Sequence, residues 1–308
     1  MEWIKKGQIW KPGKAWWAHL YGMLPTPLYM PENQCIRIYF GTTDDKLFGR
    51  TTFLDVKASN PSHIVYEHDS YVLDVGSDGT FDDCGVVPSC IIKSDNQYYL
   101  YTVGFQRCVK IPFMLFAGLA LSLDGKTYKR FSQAPILPRT PDRPYGQGAP
   151  CILKEGNRWR MWHWFASGWD KLGDKQYYRY HIGCAESHDG RSWQMYKKPC
   201  LSPQKNECGL ARPWVIKHDE KYHMFFSRRT IQAGRISYTG ISHAISSDGE
   251  NWERQSKDVI YPSQSTEWDS EMVCYSAVIR VKDKWLMFYN GNDNGKTGFG
   301  WAELQGDL

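Results

Sequence analysis

No Cys-x-x-Cys pair occurs in this chain, although nine cysteines are scattered along it: Cys35, Cys84, Cys90, Cys108, Cys151, Cys184, Cys200, Cys208 and Cys274. Their odd number and irregular spacing exclude a paired zinc or redox motif, so reduced thiols and no metal or other cofactor are expected. Blocks of five or six like charges are also missing, and 38 Lys and Arg against 33 Asp and Glu leave a net charge of only +5. That balance excludes the basic patch of a nucleic-acid or membrane-surface binder. The longest mostly apolar run, residues 113–123, contains glycine and serine and is too short to cross a bilayer. The opening Met1-Glu2-Trp3-Ile4-Lys5-Lys6-Gly7 lacks the apolar stretch and cleavage site of a signal peptide, so a cytoplasmic location is expected. Helical periodicity is scarce, and no Pro/Gly/Ser-rich linker divides the 308 residues.

What the chain has in quantity is aromatic residues, 15% of the total with 14 Trp, 19 Tyr and 13 Phe. This is ample material for a packed core. Much of it lies in a repeat. Pro88-Ser89-Cys90-Ile91-Ile92, a polar turn and Tyr98-Tyr99-Leu100-Tyr101 recur as Ala149-Pro150-Cys151-Ile152-Leu153 with Trp159-Arg160-Met161-Trp162. Further copies are Arg212-Pro213-Trp214-Val215-Ile216 with Tyr222-His223-Met224-Phe225, and Tyr275-Ser276-Ala277-Val278-Ile279 with Trp285-Leu286-Met287-Phe288. The most divergent copy is Thr26-Pro27-Leu28-Tyr29 with Ile36-Arg37-Ile38-Tyr39-Phe40. Anchors at Pro27, Ser89, Pro150, Pro213 and Ser276 are 62, 61, 63 and 63 residues apart. Each copy reads as four short strands, and three carry an Asp-Gly turn before the last strand, at Asp124-Gly125, Asp189-Gly190 and Asp248-Gly249.

The chain ends define the topology. The last copy stops near Leu304, one strand short, whereas Glu2-Trp3-Ile4-Lys5-Lys6-Gly7-Gln8-Ile9-Trp10 matches the missing strand. The expected fold is therefore an all-β, five-bladed β-propeller with the N-terminal strand closing the last blade. One domain spans 1–308, with blades near 12–78, 79–140, 141–202, 203–262 and 263–304 plus 2–10. Trp3 should then occupy the inter-blade position of Trp193 and Trp252.

In such a ring the innermost strands line a central funnel, and the loops before the five anchors converge there. Asp83, Glu207 and Glu271 lie six, six and five residues ahead of their anchors. Glycosidic cleavage needs one carboxylic acid to protonate the leaving oxygen and one carboxylate to activate water or attack the anomeric carbon. These three are the candidate catalytic residues, although each alone also reads as an ordinary loop or turn former. His19, Asp82, Gln147, His163, Trp164, Arg212, Arg228, Asp269 and Asn290 are the candidate substrate-binding residues. By strand alternation one of His163 and Trp164, and at most one of Arg228 and Arg229, faces the funnel.

Leu24-Pro25-Thr26-Pro27-Leu28, Gly79-Thr80-Phe81-Asp82-Asp83-Cys84-Gly85-Val86-Val87-Pro88-Ser89-Cys90, Trp268-Asp269-Ser270-Glu271-Met272 and Met287-Phe288-Tyr289-Asn290-Gly291-Asn292 resemble a family of bacterial glycosylase or glycosyl-hydrolase-like proteins. These are often encoded among O-antigen and capsule genes, and the resemblance runs the whole length. More distantly the chain is similar to the five-bladed glycoside hydrolase families 43, 32 and 130. Families 43 and 32 place an essential Asp just before the first-blade proline, where this chain has Thr26, so the usual base or nucleophile is absent. Glu207-Cys208 resembles the acid-bearing Glu-Cys pair of family 32. The resemblance implies an enzyme acting on a glycosidic or activated-sugar bond in surface-glycan metabolism, with a carbohydrate or nucleotide sugar as its small-molecule partner. A sugar phosphorylase or nucleotide-sugar-processing enzyme, and a non-catalytic glycan-binding protein, are the alternatives.

Overall fold

The computed structural model describes residues 1–308 apart from Lys14, Ala233 and Ser265. Its strands pair in fours. β1 (Glu2–Trp10) precedes a first group of β2 (Leu20–Met30), β3 (Cys35–Thr43), β4 (Gly49–Lys57) and β5 (Asn60–Glu67). A second group holds β6 (Gly85–Ser94), β7 (Gln97–Arg107), β8 (Phe113–Ser122) and β9 (Lys129–Arg130). The third is β10 (Gln147–Glu155), β11 (Arg158–Leu172), β12 (Lys175–Ser187) and β13 (Gln194–Met195). The fourth is β14 (Glu207–His218), β15 (Lys221–Gln232), β16 (Arg235–Ser246) and β17 (Glu253–Arg254). The last group, β18 (Cys274–Val281), β19 (Lys284–Asn290) and β20 (Phe299–Gln305), takes β1 as its fourth member. Within each group neighbours run antiparallel, as short direct connections between successive strands allow.

The first strand of each group packs against the first strands of its neighbours. β2 lies against β6, β6 against β10, β10 against β14, β14 against β18, and β18 against β2. Single parallel bridges, Gly49 to Gly85, Phe116 to Gln147 and Tyr180 to Gly209, join successive groups where their inner ends approach.

A repeated polar latch positions the groups. Ser122, Ser187 and Ser246 each accept, at Oγ, the amide of the turn glycine three residues on, at 2.9, 2.9 and 2.8 Å. Asp124, Asp189 and Asp248 accept the next amide at 2.8 Å in each copy. The glycines adopt φ of 69°, 69° and 73°, which a side chain would strain. Their carbonyls then accept from the preceding group: Tyr39 Oη to Gly125 at 2.7 Å, Tyr101 Oη to Gly190 at 2.8 Å, and Trp162 Nε1 to Gly249 at 2.8 Å. These aspartates build turns, as their spacing implies.

An aromatic wedge accompanies each latch. Trp193 meets Tyr101 at 6.2 Å between ring centroids, Trp252 meets Trp162 at 6.2 Å, and Trp3 meets Phe225 at 5.9 Å, all edge to face. Trp3 therefore sits on the fourth group as Trp193 sits on the second and Trp252 on the third. It reaches that place because β1 pairs antiparallel with β20, Glu2 opposite Gln305 and Trp3 opposite Leu304. The covered edge is one that an open sheet would expose to other chains.

The cysteines differ from expectation at one pair. Ile182 on β12 exchanges backbone hydrogen bonds with Cys200 and Leu201, and this brings Cys200 beside Cys184, to which it is disulfide-bonded with Cα atoms 6.3 Å apart. Cys35, Cys84, Cys90, Cys108, Cys151, Cys208 and Cys274 are free. Among the described residues no helix is long and apolar enough to cross a membrane.

Truncating Trp3 to alanine empties a buried aromatic site and is expected to cost about 3–5 kcal/mol of unfolding free energy. Deleting residues 1–10 should in addition bare the β20 edge and promote aggregation. Urea denaturation and light scattering check both; a truncated protein that melts like the full chain and stays monodisperse contradicts the role given to β1.

Candidate functional site

Each innermost strand breaks its ladder at the same place. Register shifts fall between Met23 and Thr26, Pro88 and Cys90, Gly148 and Cys151, Ala211 and Trp214, and Cys274 and Ala277. Such bulges re-aim side chains. At four of them a non-glycine residue takes a left-handed conformation: Leu24 (φ 52°), Ala149 (46°), Arg212 (45°) and Tyr275 (56°). Strain of roughly 1–2 kcal/mol per residue is expected there. Leu24, Ala149, Arg212 and Tyr275 all line one cavity of about 400 Å³, and Val87, just before the bulge of the second group, lines it too.

Side chains from farther out complete the wall. Trp164, Tyr180 and Tyr238 supply aromatic faces, Met23, Met272, Phe105 and Leu115 apolar ones, and Thr43, Ser237 and Asn294 polar edges. The small Ala149 and Ala211 leave the space open. Arg212 and Arg229 are the charged residues of the lining, and among the described residues no Asp or Glu contributes to it.

Arg212 is 1% exposed. Its Nη2 donates to Pro25 O at 2.8 Å and to Thr26 Oγ1 at 3.0 Å, and Nη1 donates to Tyr275 O. Thr26 Oγ1 in turn donates to Leu24 O at 2.8 Å. One guanidinium thus joins the first, fourth and fifth groups through neutral acceptors. Burial away from any carboxylate lowers its pKa to about 9, against an upward pull from the thiols of Cys151, Cys90 and Cys274. Arg229 lies over the Tyr180 ring, 4.3 Å from its centroid, and donates to Tyr178 O.

Of the residues singled out in the sequence, Arg212 and Trp164 line this cavity and the others take different places. His163, on the opposite face of β11, is fully buried. Its Nε2 accepts from Arg143 at 3.2 Å and its Nδ1 faces Trp164 O at 3.1 Å. Gln147 joins that cluster, donating to Pro138 O at 2.9 Å and accepting from Arg143 at 3.4 Å. Arg228 turns from the cavity to pair with Asp258, while its neighbour Arg229 faces in. Alternation predicts that only one of the two faces in; which one depends on the bulge between them, where Arg228 stands opposite Gly240 and Arg229 opposite Tyr238. His19 is exposed beside a one-turn 3-10 helix.

Several acidic candidates are fastened. Asp82 holds Arg130 at 2.7 Å, and Asp269 holds Lys5 at 2.6 Å and accepts from Tyr289 at 3.0 Å. Asn290 accepts from Leu24 N at 2.8 Å and donates to Gly298 O at 3.0 Å, tying the fifth group to the first. Glu207 takes both terminal nitrogens of Arg254, at 2.7 and 2.9 Å. Its pKa is lowered because these bonds, Gln204 N and nearby Arg228 outweigh burial. Asp83 accepts from Gly79 N at 3.0 Å, with its other carboxylate oxygen buried and unbonded. Glu271 is exposed and immediately precedes the cavity-lining Met272. Asp293, next to the lining Asn294, bears on the cavity as well: after burial, its charge is the main influence raising the pKa of Tyr21.

No family model matches the chain. It is 29% identical over 307 residues to the uncharacterized protein Rv1502 of Mycobacterium tuberculosis (strain ATCC 25618 / H37Rv), covering 99% of this chain and 100% of that one. Among solved structures it is similar to a glycosyl hydrolase from Bacteroides ovatus, with a TM-score of 0.74 at 15% identity over 99% of this chain and 93% of the other. A structure of the GH130 family of mannoside phosphorylases, described as containing glycoside hydrolases that target beta-1,2 mannosidic linkages in Candida mannan, gives a TM-score of 0.74 at 14% identity over 98% and 93%. A thermostable family-43 glycoside hydrolase gives 0.66 at 16% identity over 92% and 87%. The chain shares the all-β, propeller-type fold of these glycoside-hydrolase-like proteins.

The buried histidines carry a pH signature. Burial and then the Arg143 charge lower His163 from 6.5 to about 3, and burial and then His223 do the same to His243. Between these limits the unfolded chain binds protons that the folded chain does not, so stability is complete above pH 6.5 and falls as pH falls toward 3. The expected slope is about 1.4 kcal/mol per pH unit for each histidine. Because His68, His181 and His223 are also shifted down, His163→Gln should lower the total slope by about one histidine's share rather than abolish it, as read by urea midpoints from pH 7 to 4.5; an unchanged slope contradicts the assignment.

Proposed function

We propose that the protein is a glycoside-hydrolase-like, five-bladed propeller of one domain, its last blade completed by β1, that acts on a glycosyl bond of a bacterial surface glycan in the central cavity. The observation that carries this reading is the convergence of residues at or beside the bulges of all five first strands, Leu24, Val87, Ala149, Arg212 and Tyr275, on one cavity walled by aromatic rings. Aromatic faces suit the apolar faces of sugar rings, and the polar edges fix hydroxyl orientation.

For proton transfer we assign Glu271, which stands beside the lining Met272 and is exposed to solvent, with Asp293 on the facing loop segment as its partner. Glu207, kept ionised by Arg254 and Arg228, suits loop anchoring better than that role, and Asp83 shapes the turn at Gly79. A second reading, glycan binding without turnover, is favoured by the absence of Asp and Glu from the described cavity lining.

Incubation with surface-glycan fragments, with and without inorganic phosphate, tests the assignment and separates hydrolysis from phosphorolysis. Turnover that falls about 100-fold or more in Glu271→Gln supports the enzyme reading. Stoichiometric binding by calorimetry with no turnover supports the second. Ala211→Phe, which fills the cavity, should abolish binding in either case; binding that survives it places the site elsewhere.

A further inference from the structure

The buried arginines of this protein fall into two groups. Arg37 pairs with Asp55 at 2.8 Å, Arg50 with Asp44 at 3.0 Å and Asp74 at 2.8 Å, and Arg160 has Glu155, Glu186 and Glu250 within 3.9 Å. Arg212 and Arg229 are buried to the same degree, yet among the described residues neither has a carboxylate partner. The third buried arginine of this kind, Arg143, lies outside the cavity and feels the charge of Asp142. Both cavity arginines also keep a buried Nε with no hydrogen-bond partner among the described residues.

Two uncompensated cations facing one apolar cavity are costly, because burial strips their hydration without returning a counter-charge. The remaining wall offers rings and neutral oxygens but, among the described residues, no counter-charge. Arg229 gains tyrosine faces and a backbone carbonyl, and Arg212 gains neutral oxygens and the Trp214 ring, 5.5 Å from its centroid, but no carboxylate. A guanidinium is the side chain best shaped to take a carboxylate or phosphate through paired N–H donors. We infer that the cavity takes a sugar bearing an anionic group, a carboxylate or a phosphate, with Arg212 and Arg229 as its counter-charges and the Trp164, Tyr180 and Tyr238 rings against its apolar face. This rests on the reading of the cavity as a carbohydrate site and narrows it to acidic sugars.

Thr26 makes the inference testable from inside the protein. Its hydroxyl oxygen accepts from Arg212 at 3.0 Å, so Thr26→Asp sets a carboxylate against the guanidinium and supplies the missing counter-charge internally. The full-length protein is to be applied to an immobilised panel of glycans in matched neutral, uronate-bearing and phosphate-bearing forms. The wild type should bind the anionic members at least ten-fold better than their neutral counterparts, and the preference should shrink as salt is raised. Arg229→Gln and Thr26→Asp should each lose roughly 10–100-fold on the anionic members, the worth of a charge-assisted bond. In the ligand-free protein Thr26→Asp should also raise the melting temperature.

Preference for the uronate or the phosphate forms tells which anion is the ligand, and either supports the inference. Equal binding of neutral and anionic members overturns it while leaving the carbohydrate reading intact. Binding of no member overturns both. If Arg229→Gln fails to fold, Thr26→Asp alone decides: anionic preference unchanged in that variant overturns the inference.

Discussion

The first strand of every group breaks its ladder, and this bulge is the constraint on which the rest of the structure depends. At the bulge the chain steps out of register with its partner strand, and in four of five groups it does so through a left-handed residue. The same step brings Leu24, Ala149, Arg212 and Tyr275 to the cavity, with Val87 bordering it just before the step of its own strand. Backbone strain and site geometry are therefore one feature. A strand that relaxed its bulge would also withdraw its side chain from the site.

That arrangement holds because the outer parts of the groups are locked to one another. The Asp-Gly turns present carbonyls that the preceding group's Tyr39, Tyr101 and Trp162 donate to, and Trp193 and Trp252 wedge in beside the latter two. Where repeat symmetry meets the chain ends, other residues take over. Trp3 supplies the wedge, Asn290 bonds Leu24 N, and Arg212 reaches Pro25, Thr26 and Tyr275. Placing a cation at this junction joins three groups at once, and it leaves a buried charge without a counter-ion in the middle of the molecule.

The acidic residues illustrate how position decides role. Asp82, Asp269 and Glu207 lie at the loops that converge on the inner strands, yet each is spent on a cation: Arg130, Lys5 and Arg254. The charge balance of the cavity is thus set by which carboxylates were consumed elsewhere. An apolar, aromatic, cationic cavity differs in chemistry from one lined by paired carboxylates, even on a shared fold.

The sequence by itself determined the strand-rich architecture, the period near 63 residues, the Asp-Gly turns and the pairing of the N-terminal strand with the last group, because these rest on local alternation, turn chemistry and self-similarity along the chain. It also named Arg212 and Trp164 among the candidate binding residues, and these two line the cavity. Which of His163 and Trp164, or of Arg228 and Arg229, faces the cavity was decided by tertiary structure: alternation says that neighbours oppose each other, but a bulge resets which one points in. The tertiary structure likewise decided that Asp83, Glu207 and Glu271 stand outside the cavity lining; Glu207, for one, is held by Arg254, 47 residues away, and no local pattern encodes that contact.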